Sequence, residues 1–167
     1  MKEKKILVMR HAKSSWDHPG LKDFDRPLNK RGLRDAPAMG RYLQELGLSP
    51  DCIISSPAQR ARTTVELVSL ETGYSKEQIL WDDALYYKGA EAYMRAIGNA
   101  PEEADTLLIA GHYPMVHQTT SLLKGSSFNE HFSTAAIACL STEAEQWPLV
   151  GGSRNRLLWF MNPKKLP

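Results

Sequence analysis

Arg10 and His11 close a short apolar run, Ile6-Leu7-Val8-Met9, and a second histidine, His112, follows Gly111 at the end of Thr106-Leu107-Leu108-Ile109-Ala110. Imidazole changes charge near neutral pH and can act as a nucleophile, while a guanidinium fork matches the oxygens of a phosphate. Arg60 is the third feature. It follows Ser56-Pro57, a cap and first-turn signal for a helix. That places Arg60 in the first or second turn, near the positive end of the helix dipole, where a cation is unfavourable unless an anion lies close. Helical side chains lean back toward the N-terminus, so Arg60 should face the strand ends. Arg62, two positions on and roughly 200° around the helix, should face solvent.

Taken singly, each histidine reads as a hydrogen-bonded structural residue and Arg60 as a surface arginine. Together they describe different chemistry. Cations in a confined site disfavour imidazolium and leave a histidine neutral and nucleophilic. Neutral imidazole attacking phosphorus, with arginines absorbing charge on the equatorial oxygens, is a coherent phosphoryl-transfer site.

For these residues to meet, the strands ahead of His11 and His112 must be neighbours. Near-continuous apolar runs of this length read as strands buried on both faces of a parallel sheet, and ligands bind outside the carboxyl ends of such strands. Around them the pattern alternates. Asn29 caps a helix to about Leu46, with Ala36, Met39, Leu43 and Leu46 on one face, Gly47 as its stop, and Pro37 predicting a kink or a late start. Cys52-Ile53-Ile54 reads as a strand, followed by a helix with the buried stripe Ala58, Ala61, Val65 and Val68. Ile79-Leu80-Trp81 is a short strand, Ala90 to Ile97 a helix ending at Gly98, and Pro114 opens a helix to about Leu123, closed by Gly125. Ala135 to Leu140 and Leu157 to Met161 are strands with no helix between them, hence an antiparallel pair. The expected fold is an α/β three-layer sandwich: a mainly parallel central sheet flanked by helices, with an antiparallel strand pair near one edge.

At 167 residues, with no linker or repeat, the chain reads as a single domain over 1–167. A formal charge of +2 argues against nucleic acid as partner, and the cluster Arg26, Lys30, Arg31 and Arg34 reads as a solvated face or a pocket rim. Cys52 and Cys139, each in a candidate strand, read as buried reduced thiols. Arg10 interrupts the first apolar run too early for a signal-peptide core, and no segment approaches membrane-spanning length, so a cytoplasmic location is expected with no membrane partner. Nothing in the pattern specifies an oligomeric state.

Arg10-His11-Ala12, Ser56-Pro57-Ala58-Gln59-Arg60-Ala61 and Gly111-His112, in that order over nearly the whole chain, resemble the histidine phosphatase (phosphoglycerate mutase-like) superfamily. The opening Arg10-His11-Ala12-Lys13-Ser14-Ser15-Trp16, with Asp25-Arg26-Pro27-Leu28, resembles its SixA-type phosphohistidine phosphatase branch. The resemblance implies that His11 is the nucleophile that becomes phosphorylated, while Arg10, Arg60 and His112 hold the transferred group, without metal or cofactor. Two positions depart from the superfamily pattern. Ala12 stands where glycine is commonest, and alanine is small enough to keep the turn. The proton-donating glutamate of many relatives has no convincing counterpart: Asp82, Asp83 and Glu91 lie in the region, and each reads as a surface carboxylate.

An alkoxide leaving group needs protonation, whereas imidazole, with a conjugate-acid pKa of about 6.5, departs with far less help. The expected activity is therefore protein phosphohistidine phosphatase. The partner is a phosphohistidine-bearing protein or a small phosphorylated substrate. A phosphatase of a small phosphate ester or phosphoramidate is the alternative, and a non-catalytic phosphoprotein-binding module the second. A metal hydrolase fits poorly, because His112 and His117 are five residues apart, off the spacing that stacks two ligands on one helix face. Lys13, Ser14, Asp17 and Arg26 are expected to line the entrance, with Ser14 as a further phosphate contact, and Trp16 is a candidate to pack beneath its turn. His18, His117 and His131 read as structural or surface residues. So small a chain leaves few residues for a lid, and an open pocket is expected.

Overall fold

The computed structural model describes residues 2–167. Among them, the strands β1 (Lys4–Arg10), β2 (Cys52–Ser55), β3 (Leu80–Trp81), β4 (Thr106–Gly111), β5 (Ile137–Thr142) and β6 (Asn155–Met161) form one sheet in the order β3-β2-β4-β1-β5-β6. The β3-β2, β2-β4 and β4-β1 pairings are parallel; β5 runs antiparallel to β1, and β6 antiparallel to β5. The expected α/β sandwich, its antiparallel pair at one edge, is the observed fold.

Alternation along the central strands builds two cores. Ile6 and Val8 of β1, with Leu107 and Ile109 of β4, face one side, where they meet α4 (Ala90–Gly98) and α5 (Met115–Lys124) through Tyr93, Ile97, Val116 and Leu123. Leu7, Met9, Leu108 and Ala110 face the other, against α1 (Lys30–Glu45) and α2 (Gln59–Thr72) through Ala36, Met39, Leu43, Val65 and Val68. A strand covered on both faces has no polar side, which is why β1 and β4 are continuous apolar runs. A one-turn helix, α3 (Ala84–Tyr87), links β3 to α4 and had no periodicity to announce it.

Several boundaries depart from expectation. Asn29 caps α1 by accepting the Gly32 amide, but the helix runs unbroken from Lys30 through Pro37, so there is no late start. Leu46 is the C-cap and is exposed rather than buried. Helix α2 begins at Gln59 with Ala58 at its cap, not at Ser56. Arg62 is half-buried over the Trp81 ring rather than solvent-facing, since apolar stem and planar head can both be used there. β5 starts at Ile137, because Ala135 adopts a left-handed backbone (φ 62°) that donates its amide to the carbonyls of Arg10 and His11. Both cysteines are free and buried. Among the described residues, no helix is long and apolar enough to cross a membrane.

Candidate active site

The register of β1 against β4 pairs Arg10 with Gly111, so His11 and His112 leave the sheet side by side at its carboxyl edge. Their ring centroids are 5.3 Å apart. His11 Nδ1 lies 2.7 Å from the carbonyl oxygen of Ala12. A carbonyl can only accept, so Nδ1 carries the hydrogen and the neutral ring presents a bare lone pair at Nε2. The backbone here is tied to the next helix: the Ala12 amide donates to Thr64 Oγ1, and that hydroxyl donates to the carbonyl of Arg60. Ala12 itself is fully buried without a left-handed backbone, so the turn accepts it.

His112 is set by Tyr93, whose fully buried hydroxyl accepts the His112 amide and donates to the Leu85 carbonyl. Gly111 is required by this approach, because a Cβ there would overlap that hydroxyl. The Nε2 atom of His112 lies 2.8 Å from Ser56 Oγ. Ser56 Oγ already accepts the Ala58 amide, so its own hydrogen can go to His112 Nε2, which leaves Nδ1 as the protonated nitrogen. Ser56 thus serves His112 instead of capping a helix. Both His112 Nδ1 and Arg10 Nε are buried and have no hydrogen-bond partner within the protein. Such orphans are uncommon in a folded chain and mark groups kept for something else.

Arg10 donates to the Phe132 carbonyl at 2.8 Å and lies over the Tyr113 ring. Arg60 occupies the first turn of α2, as expected, but its anion is internal. Nη1 donates to the Asp23 carbonyl at 2.8 Å, and Nη2 pairs with Asp23 Oδ2 at 3.0 Å. Arg26 holds the other carboxylate oxygen of Asp23, and the Tyr86 hydroxyl donates to Oδ2.

Electrostatics follow from this packing. Burial drives the His11 pKa well below 6.5; the Ala12 hydrogen bond opposes that, and the charges of His112, Arg60 and Arg10 lower it further. His112 falls to about 4, again by burial first and then Arg60, with Asp23 opposing. Both rings are neutral at physiological pH. Burial alone would raise Asp23, but the hydrogen bonds from Tyr86, Arg26 and Arg60 outweigh it and hold the carboxyl at about 2.

A model of the histidine phosphatase superfamily (branch 1) matches residues 6–85. An uncharacterized protein of Mycobacterium leprae is 30% identical over 169 residues, spanning 93% of this chain and 100% of that relative. The chain belongs to the histidine phosphatase superfamily. A candidate phosphohistidine phosphatase SixA from Nakamurella multipartitia has a structure similar to this one, with a TM-score of 0.84, 26% identity and 98% of both chains covered. Its counterpart from Agrobacterium tumefaciens gives a TM-score of 0.81 at 27% identity, covering 96% of this chain and 98% of that one.

Within this histidine phosphatase fold, His11, His112, Arg10 and Arg60 share one edge of the sheet, as the sequence predicted. Ser14 is buried but its hydroxyl accepts from Arg26, so it is held at the edge of the site by another side chain. Arg26 is itself buried, not part of a solvated face. Trp16 lies 73% exposed over Arg26 instead of packing beneath its turn. The Asp82 carboxylate accepts the Ala84 amide ahead of α3, whose N-cap residue is Asp83, while Asp83 and Glu91 are exposed. Sequence reasoning missed Asp23 and Tyr86. Asp23 sits in a 3-10 turn of the loop after His11, and its signal was an acidic residue three positions before Arg26. The site is also less open than expected: this loop reaches across to Arg60, leaving His11 and His112 only 7% and 6% exposed. Among the described residues, no three His, Cys, Asp or Glu side chains gather as a metal-ligand set.

Proposed function

We propose that this histidine phosphatase hydrolyses phosphohistidine, a protein-borne phosphohistidine before any other, without a metal. His11 Nε2 attacks phosphorus and forms a new N–P bond as the substrate's N–P bond breaks. The departing imidazole keeps that electron pair and leaves as the neutral ring, because its other nitrogen carries a proton. Water then attacks the phosphorylated His11, the enzyme's N–P bond breaks, and phosphate leaves. Arg10, Arg60 and the Nδ1–H of His112 donate to the phosphoryl oxygens as charge gathers on them. Ser14 is a lesser contact, acting beside Arg26.

One observation carries this reading: the Ala12 carbonyl takes the hydrogen of His11 Nδ1, so the neutral ring offers Nε2 as a nucleophile without any proton first being removed. The acids support the P–N substrate. Asp82 is engaged by the Ala84 amide, Asp83 and Glu91 are exposed, and Asp23 is ionised down to about pH 2. A poorly basic leaving group needs none of them as a proton donor. Arg10 and Arg60 beside the histidines would repel a divalent cation.

The test compares release of phosphate from a phosphohistidine protein and from a panel of small phosphate esters, with His11→Ala as the blank. Native protein should turn over phosphohistidine faster, carry phosphate on His11 during turnover, and keep its rate in chelator. Faster hydrolysis of the esters would reassign the substrate. Binding of the phosphoprotein with no phosphate ever trapped on His11 would make the chain a binding module.

A further inference from the structure

Past Arg10, on the side away from His112, the same edge of the sheet is made by the start of β5 and the end of β6. There the loop before β5 and the segment after β6 enclose an open groove of about 520 Å³. Arg10, Lys13, Arg31, Lys164 and Lys165 line it, with Glu130 as the one carboxylate. In a chain with nearly balanced charge, five basic side chains in one groove beside the phosphoryl site are a concentrated positive field.

We infer that this groove docks an acidic protein surface flanking the phosphorylated residue, and so selects which phosphoprotein reaches His11. The inference rests on the phosphohistidine reading for its chemistry, but its geometry is independent of it. Arg10 belongs to both places: its guanidinium donates to Phe132 behind the groove and its charge acts on His11 and His112. A partner seated in the groove would therefore present its neighbouring residue to the histidine pair.

The form of the groove favours a protein over a compact ligand. Arg31, Lys164 and Lys165 are exposed ends on long stems, suited to charge spread over a face rather than to one small dianion. Lys13 and Lys164 have no carboxylate partner among the described residues, whereas Lys165 reaches Glu130 at 3.7 Å and Arg31 reaches Asp35 at 3.4 Å. Tyr113 stands 46% exposed between Arg10 and His131, an aromatic of the kind that anchors protein interfaces. The basic groups cluster at one groove and do not form a track, which disfavours a nucleic-acid backbone with its regular run of phosphates.

The experiment uses two peptides of equal length around a central histidine, one flanked by glutamates and one by glutamines. Each is measured unphosphorylated for binding and phosphorylated for turnover, with free phosphohistidine as the small reference. Native protein should bind the glutamate peptide about tenfold more tightly and lose that preference as salt rises, because exposed charges are screened. The variant K164E/K165E should lose the preference in both binding and kcat/KM while hydrolysing free phosphohistidine at the native rate. K164Q/K165Q, a milder change, should fall between. Equal binding of the two peptides by native protein, or a preference that survives in K164E/K165E, would overturn the docking surface. So would a single-stranded oligonucleotide that outcompetes the glutamate peptide. Failure to hydrolyse both phosphorylated peptides as well as free phosphohistidine would instead sink the catalytic reading, since the binding comparison does not depend on it.

Discussion

His11 and His112 are neutral because they are buried among cations, and this has consequences for pH. Free imidazole protonates near 6.5, so an unfolded chain takes up protons at both rings below that value. The folded chain resists, His112 until about pH 4 and His11 to a pH also well below 6.5. Over that window the unfolded state binds more protons, and stability should fall as pH drops from about 6.5 toward 4 while staying level above it, as urea titrations across pH would register. Asp23 adds a second loss at lower pH, because its folded pKa of about 2 lies below the ordinary value and its stabilisation fades as the carboxyl protonates. Imidazole NMR titration should place both midpoints below 6.5, and Arg60→Ala should move both upward by removing a nearby charge. Asp23→Asn should move the His112 midpoint the other way, since the carboxylate is what opposes its fall. The same variant should lower kcat/KM roughly tenfold, because Arg60 loses a charge-assisted partner and with it a fixed orientation. A purely structural Asp23 would leave the His112 titration where it was.

At the scale of elements, short backbone contacts hold the chemistry in place. Gly111→Ala puts a methyl group into the Tyr93 hydroxyl, so β4 or α4 must shift, at a cost of about 1–3 kcal/mol with His112 displaced. Tyr93→Phe leaves the buried His112 amide and Leu85 carbonyl without their partner, a loss of about 1–3 kcal/mol; thermal unfolding and kcat should both report it. Gly32 plays the same part for the first turn of α1, where a Cβ would strike the Lys13 carbonyl two residues beyond His11. The strands, α1, α4 and α5 were readable because apolar periodicity and capping residues are local signals. The start of α2 was not, because Ser56 satisfies two partners at once, the Ala58 amide and the His112 ring, and the second is 56 residues away.

Across the whole molecule, the order β3-β2-β4-β1-β5-β6 makes one edge, carboxyl ends everywhere except at the antiparallel β5, with the Asp23–Arg60 contact on one side of the histidines and the basic groove on the other. Activity should survive exhaustive chelation, since the charges of Arg10 and Arg60 act on both histidines and would repel a cation there; loss of rate in chelator with recovery on adding zinc would contradict this. The four residues proposed for catalysis, His11, His112, Arg10 and Arg60, were legible from sequence because each sits at a strand end or a helix start. The groove was not. Arg31 was visible only as part of a charged cluster, while Lys164 and Lys165 come from a segment that joins it only after β6 has paired along β5.

Residue types and local periodicity were enough to specify the layered α/β architecture, the strand ends carrying His11 and His112, and the placement of Arg60 in a first turn, because each depends on neighbours within a few positions. The proton on His11, the carboxylate that grips Arg60, the partial cover over the site and the positive groove came only from the folded chain. They depend on carbonyls, carboxylates and cations brought together from distant segments, and on the low-dielectric surroundings that burial creates.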